Sequence, residues 1–201
     1  MAGGVIRRYG VALAIGALLI GVLLIGVLLI GSLVGGGAPP EAERPYQSGD
    51  VMFLQMMTPH HRQGLTIVRL AADRPVRDEV RQLADAIAAT QTDEIKTMSG
   101  WLREWRQPAT APADAHTAHG GMPGTTAAEI TAVAKAPDAE FEAAFLKLLI
   151  AHQDDAIQIA RLELRTGGNA DVVAFARRIE QSRTAQIKLM RTWLDQLHSG
   201  S

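Results

Sequence analysis

The sequence contains one internal repeat, whose two copies are offset by 92 residues and align without a gap. Fifteen of the fifty aligned positions are identical, and they include His60 with His152 and Trp101 with Trp193. In each copy, apolar residues recur at helical spacing along two successive segments, which predicts a helix hairpin. Because neither hairpin can bury its apolar stripe alone, two of matched length predict an all-α, four-helix bundle. Two independent hairpins, a swapped dimer or another homo-oligomer remain as alternatives.

Capping and turn residues set the predicted boundaries inside a domain that covers residues 47–198. The first half, 48–106, begins with Ser48 as N-cap. The second half, 137–197, opens on Pro137, a residue that suits the first turn of a helix. The four helices are predicted over residues 48–72, 76–106, 137–165 and 170–197, with a Gly-Gly-Asn turn before the last.

The segment between the two halves, residues 107–125, is rich in Pro, Ala, Thr, Gly and His. This composition predicts a mobile loop. Thr126 and Glu129 then have the spacing of a capping box, which predicts a short helix after the loop.

The amino-terminal part of the chain has the character of a membrane anchor. Residues 11–34 carry no charge, and this stretch exceeds the roughly 20 residues that a helix needs to cross a bilayer. Residues 1–10 contain Arg7 and Arg8, so the positive-inside rule predicts a cytoplasmic amino terminus and an extracytoplasmic domain. Residues 35–46 then form a tether. A long cleaved signal peptide is the competing interpretation.

Charge and cysteine content exclude several classes of function. Beyond Arg7 and Arg8, the only charges among the first 40 residues, the chain has 18 basic and 21 acidic residues. This balance excludes the basic surface of a nucleic-acid-binding protein. With no cysteine, the chain has no disulfide, thiolate metal site or cysteine nucleophile.

The densest group of chemically versatile residues lies on the first predicted helix. Met56 and His60 are four residues apart, as are Met57 and His61, so each pair shares one face of a helix. Imidazole and thioether together form a soft ligand set that suits copper, especially Cu(I), while histidine also binds zinc. Pro59 either interrupts this helix with a kink or marks a fresh helix with Thr58 as N-cap.

The second half supplies His152, which is equivalent to His60, and Asp155 one turn later. If the halves pack with pseudo-twofold symmetry, His60 and His152 approach each other, and Asp155 or a methionine completes a metal site. The alternative is a pair of buried histidines held by hydrogen bonds. A second candidate metal site, on the loop, consists of His116, His119 and Met122.

Two polar residues on the second helix are predicted to support the histidines. Gln91 lies on the apolar stripe, with Glu94 one turn later, and a polar residue on that stripe needs a partner such as the neighbouring imidazoles. The position equivalent to Gln91 holds Arg183, which we expect to pair with Asp154 or Asp155.

These motifs resemble a bacterial family called domain of unknown function 305. The resemblance rests on residues 50–63 (DVMFLQMMTPHHRQ), on Gln91 to Leu102, on the loop sequence HGGMPG and on His152. It covers residues 47–197. It implies a ferritin-like fold, an exported or membrane-anchored location, and a metal set of His60, His61, His152 and the neighbouring methionines, since some members bind copper and contribute to copper resistance.

The sequence thus favours a membrane-anchored extracytoplasmic protein that binds copper for buffering, transport or resistance and is not an enzyme. The alternative is a metal-free helical module of the cell envelope. A ferritin-like oxidase is disfavoured, because its di-iron centre needs Glu-x-x-His pairs and the chain has none.

Overall fold

The computed structural model describes residues 45–111 and 124–199, and within this part it is all-helical, without a strand. The helices are α1 (Ser48–Arg69), α2 (Asp78–Glu104), α3 (Ala127–Ala134), α4 (Asp138–Thr166) and α5 (Ala170–Ser199). The prediction of an all-α fold with two long helices in each repeat is confirmed.

The boundaries differ from the predicted ones by up to three residues. The first helix ends at Arg69 rather than at residue 72, and the second ends at Glu104 rather than at residue 106. Arg106 adopts a φ of 54°, a left-handed conformation that cannot continue a helix.

The starts of the helices follow from the residues that satisfy their first N–H groups. Gln47, not Ser48, is the N-cap of α1, and its own N–H donates to Asp50 Oδ2 at 2.6 Å. The predicted capping box of α3 is present, because Glu129 N–H donates to Thr126 Oγ1 at 3.2 Å and Thr126 N–H donates back to Glu129 Oε2 at 2.7 Å.

The long helices pack as two hairpins, α1 with α2 and α4 with α5, and the hairpins meet where α1 lies against α4. The short α3 also packs on α4. Two apolar clusters fill the interior, and residues that are equivalent in the repeat fall into opposite clusters. One contains Phe53, Met98, Val172 and Ile179, and the other contains their equivalents Phe145, Met190, Val80 and Ile87.

Each hairpin is also tied to the other by a carboxylate near the start of its first helix. Asp50 Oδ1 accepts hydrogen bonds of 3.0 Å from the N–H groups of Gly168 and Asn169, in the turn between α4 and α5. Its repeat equivalent, Glu142, accepts one of 2.7 Å from the N–H of Arg77, just before α2. The sequence repeat therefore corresponds to a pseudo-twofold arrangement of contacts in the structure.

The predicted anchor, residues 11–34, lies outside the described residues, as do residues 1–10 and most of the tether. Of the helices between residues 45 and 199 that the structure describes, none is both long and apolar enough to span a membrane. At the end of the tether, Tyr46 stacks on Trp105 with ring centroids 4.5 Å apart.

Candidate metal centre

His60 and His61 lie in the middle of an unbroken α1. Pro59 is inside this helix, where it has no N–H to donate to the carbonyl of Gln55. The hydroxyl of Thr58 donates to Leu54 O at 2.7 Å, as a residue inside a helix does, so the alternative of a fresh helix capped by Thr58 is wrong.

His60 and His152 face each other where α1 crosses α4. Their rings stack with centroids 3.9 Å apart and an interplanar angle of 11°. The two side chains are 3% and 0% exposed, and none of their four ring nitrogens has a partner in hydrogen-bond geometry. The structure thus brings together the two histidines that the repeat pairs, but without the hydrogen bonds that would make them ordinary core residues.

Gln91, on α2, reaches the same place. Its side chain is fully buried, and neither its amide oxygen nor its amide nitrogen has a hydrogen-bond partner. It enters beside Gly64, where a Cβ atom would collide with Gln91 Oε1 and would lie 2.8 Å from His152 Nε2. The absence of a side chain at Gly64 therefore makes room for both polar groups beside α1, a role that the sequence pattern does not indicate.

His61 points to a different partner. Its Nε2 lies 2.7 Å from Glu94 Oε2, as expected for a donor to a carboxylate, while its Nδ1 is buried and unpartnered. Arg183 also donates to Glu94 Oε2, and its Nη2 lies 3.4 Å from His61 Nε2. The expectation that an imidazole partners Gln91 is wrong, because both polar atoms of its amide lack a partner. The expected pairing of Arg183 with Asp154 or Asp155 is also wrong, since Arg183 pairs with Glu94.

The second half of the repeat has an equivalent of the His61–Glu94 hydrogen bond, but it joins two uncharged side chains. Gln153 and Gln186, equivalent to His61 and Glu94, are joined by a hydrogen bond from Gln153 Nε2 to Gln186 Oε1. The site is therefore symmetric in the stacked His60–His152 pair and asymmetric around it, with ionisable groups on one side only.

Burial holds both stacked histidines in the neutral form. It lowers the pKa of His152 to about 3, and a charge on His61 or Arg183 acts in the same direction. The pKa of His60 is also well below its ordinary value, because of burial and then because a proton there would be repelled by a charge on His152, His61 or Arg183, while the backbone of His152 acts in the opposite direction. Burial lowers the pKa of His61 as well, although Glu94 opposes the shift. Neutral imidazoles are the form that ligates metal ions.

The other predicted ligands have apolar or acidic surroundings. Met56 and Met57 are buried in the apolar cluster around Phe53 and Met98. Asp155 is half-buried, and burial followed by the charges of Asp154 and Glu129 raises its pKa. Within residues 45–111 and 124–199, no three His, Asp or Glu side chains form a group that could hold a metal ion.

The second predicted cluster, His116, His119 and Met122, lies outside the described residues. The chain on both sides of it is attached to α1. Gln55 donates to Pro108 O at 2.8 Å, and Gln63 donates to Thr125 O at 2.7 Å. These two glutamines lie about one turn before and one turn after Pro59.

The family model named domain of unknown function (DUF305) matches residues 50–194, which include the whole of this site. The chain belongs to the DUF305 family. The resemblance that the sequence motifs indicated is thereby confirmed. No curated protein matches the chain significantly.

Solved structures of DUF305 proteins are similar along most of their length. A protein from Streptomyces coelicolor is 29% identical, with a TM-score of 0.70 over 75% of this chain and 94% of that one. A fragment from Deinococcus radiodurans is 28% identical, with a TM-score of 0.67 over 76% and 99% of the two chains. CopM in its Cu(I)-bound form is 26% identical, with a TM-score of 0.62 over 75% and 98%. CopM is also known in Cu(II)-bound and Ag-bound forms.

The residues of the site suit a soft metal ion in their chemistry. His60 and His152 offer buried, neutral and unpartnered nitrogens, and Gln91 offers an unpartnered amide oxygen. Because the lone pairs of an imidazole lie in its ring plane, two nearly parallel rings do not point at one ion. A shared ion therefore requires one ring to turn.

Proposed function

We propose that this DUF305 protein binds a copper ion between His60 and His152 and serves in copper buffering, transport or resistance. The observation that carries the proposal is the stacked pair itself, whose four buried ring nitrogens have no hydrogen-bond partner. A desolvated polar group without a partner costs about 1–3 kcal/mol, so a fold that keeps such groups has another use for them. Copper is the first candidate because CopM, a relative of similar fold, is known with Cu(I) and Cu(II) bound.

The proposal also includes the location of the protein and the kind of function it has, both of which rest on the sequence. The ferritin-like bundle is held outside the cytoplasm by a single membrane-spanning helix at residues 11–34, and the protein binds metal rather than catalysing a reaction. His61, Met56, Met57 and Asp155 are the further candidate ligands, because each lies within about one helical turn of His60 or His152. Zinc is the second candidate ion, because neutral imidazole also suits it.

The test is a metal titration of the full chain, kept in mild detergent because of residues 11–34. Cu(I) under anaerobic conditions, Cu(II) and Zn(II) are each titrated in competition with a chromophoric chelator. We expect Cu(I) to bind more tightly than about 1 μM, and His60→Ala/His152→Ala to remove this binding. His198→Ala is the matched control, because His198 is an exposed histidine near the end of α5.

The outcomes separate this proposal from a metal-free envelope module. No Cu(I) binding tighter than about 1 μM would contradict the copper site. Equal loss of affinity in the His198→Ala variant would show that the bound copper is not at the stacked pair. Alanine at His116 and His119 should remove only a weaker second site, and loss of the tight site instead would assign the primary site to the loop.

A further inference from the structure

Arg183 is a fully buried arginine next to the candidate metal site. Its side chain is 0% exposed, and it comes from α5, the helix that is repeat-equivalent to α2. The equivalent residue on α2 is the neutral Gln91. A buried guanidinium costs several kcal/mol of desolvation, so its presence at one of two otherwise equivalent positions needs an explanation.

The guanidinium of Arg183 forms an ion pair with Glu94, the carboxylate beside His61. It donates to Glu94 Oε2, the same oxygen that lies 2.7 Å from His61 Nε2, and its Nη1 donates to Ser182 Oγ at 3.3 Å. Glu94 has a lowered pKa, since its hydrogen bond to His61 and the charge of Arg183 outweigh the effect of burial. Glu94 is therefore an anion whose charge is already balanced inside the protein.

His61 connects this ion pair to the stacked histidines. Its ring centroid lies 6.3 Å from that of His60, and its Nε2 contacts Glu94 Oε2 at 2.7 Å. The carboxylate beside the site is therefore held by Arg183 and is not available to an ion between His60 and His152.

The remaining donors also suit a monovalent ion. Without Glu94 the site has two neutral imidazoles and the amide oxygen of Gln91, and it has no anionic ligand. Zn²⁺ is held by roughly three or four protein ligands, which in many sites include a carboxylate or thiolate. Two uncharged nitrogen donors are sufficient only for a soft ion of low charge and low coordination number, such as Cu(I) or Ag(I).

We propose that Arg183 makes the site selective for monovalent soft cations by holding Glu94 in a buried ion pair, so that His60 and His152 have no anionic ligand beside them. This inference rests on the proposed function, since it assumes that the stacked pair binds metal. Arg183 is then a positioning residue, which does not ligate the ion but determines which ions bind.

The experiment compares Ag⁺ and Zn²⁺ on the full chain in detergent, because neither ion changes oxidation state. Binding is measured by competition titration, and thermal unfolding is followed with and without each ion. The variants are Arg183→Gln, which copies the residue at the equivalent position, and Arg183→Lys, which keeps the charge. The third is Arg183→Gln/Glu94→Gln, which removes both members of the ion pair.

We expect the wild-type chain to bind Ag⁺ and to bind Zn²⁺ only weakly. Arg183→Gln should bind Zn²⁺ at least about tenfold more tightly than the wild type. Arg183→Lys should show little of this gain, because the cation is kept. Arg183→Gln/Glu94→Gln should show little of it either, because the released carboxylate is gone. If Arg183→Gln is unfolded without metal, Zn²⁺ should restore its helical circular-dichroism signal.

Three results would contradict either the proposed metal site or the role of Arg183. If the wild type binds no Ag⁺, the proposed metal site is wrong, and the inference falls with it. If the wild type binds Ag⁺ but Arg183→Gln gains no affinity for Zn²⁺ and is not refolded by it, only the role of Arg183 is wrong. A wild type that binds Zn²⁺ as tightly as Ag⁺ would also overturn the selectivity.

Discussion

The imidazole ring of His60 stacks on that of His152 at a centroid distance of 3.9 Å, although the two residues are 92 positions apart in the chain. They are equivalent members of the internal repeat, so the contact lies where the two hairpins meet. On both sides of it along α1 and α4 the core is apolar. A pair of unpartnered imidazoles stabilises such a position less than apolar side chains would, and this is the observation on which the proposed metal site rests.

Replacing His152 with leucine should make the metal-free protein more stable. The change removes two buried ring nitrogens without partners and supplies an apolar side chain of similar volume. We expect the free energy of unfolding to rise by about 1–2 kcal/mol, measured by urea denaturation in the presence of a chelator. His61→Leu is the matched control, and it should lower stability because it leaves Glu94 without its 2.7 Å hydrogen bond. A loss of stability in His152→Leu would mean that the stacked pair is a structural element.

Binding of one ion by both histidines should separate their stacked rings. At an interplanar angle of 11°, the lone pairs of the two rings do not converge, so at least one ring has to turn. We expect the imidazole proton resonances of His60 and His152 to shift on addition of Ag⁺, as each ring leaves the ring-current field of the other. The exposed His198 provides a reference signal in the same spectra. Unchanged shifts for the two buried rings at saturating Ag⁺ would place the ion elsewhere.

The repeat was enough to predict the helices and the pairing of the histidines. Equivalence between His60 and His152, together with helical periodicity, implies that they meet if the halves pack symmetrically, and they do. Periodicity also located α2 and α5 to within two residues at their ends. The predictable features were therefore the helix positions, which depend on one helix face, and the histidine contact, which depends on the symmetry of the repeat.

The parts that could not be predicted depend on packing between helices. The sequence predicts that Arg183 pairs with an acid on its own hairpin, but Arg183 donates to Glu94 on the other hairpin. The role of Gly64 also depends on two helices, since its bare backbone accommodates Gln91 from α2 and His152 from α4. Spacing along one helix carries no information about such contacts, and a departure from the repeat, as at Arg183 and Gln91, was the only signal for them.

Asp50 and Glu142 should make comparable contributions to stability, because each holds the turn of the opposite hairpin. Asp50→Ala leaves the N–H groups of Gly168 and Asn169 without their acceptor, and Glu142→Ala does the same to Arg77. We expect each change to cost about 1–3 kcal/mol of unfolding free energy, since charge-assisted hydrogen bonds are lost. Asp93→Ala is the control, because its 2.8 Å ion pair with Lys96 is exposed and should contribute little. Equal effects of all three changes in thermal unfolding would argue against the reciprocal contacts.

Glu163, in the last turns of α4, should make the protein less stable as the pH rises above neutrality. Its carboxyl group is fully buried beside Asp50, and no N–H or O–H group donates to it. Burial raises the pKa of Glu163 to about 8, and its hydrogen bond to the Asp50 carboxylate and the charge of Asp50 act in the same direction. The folded protein therefore keeps a proton there that the unfolded chain, with a pKa near 4.5, has already released.

The sign of the effect follows from this difference in proton binding. Because the native state binds more protons than the unfolded state between pH 4.5 and about 8, the stabilisation by neutral Glu163 is complete below that range and is lost as the pH rises through it. Urea denaturation from about pH 7 to about pH 9, above the ordinary range of histidine, should show falling stability. Glu163→Gln keeps a neutral hydrogen-bond donor, so it should flatten this profile and exceed the wild type in stability near pH 9. A wild-type profile that is flat over the same range would show that Glu163 is ionised in the folded protein.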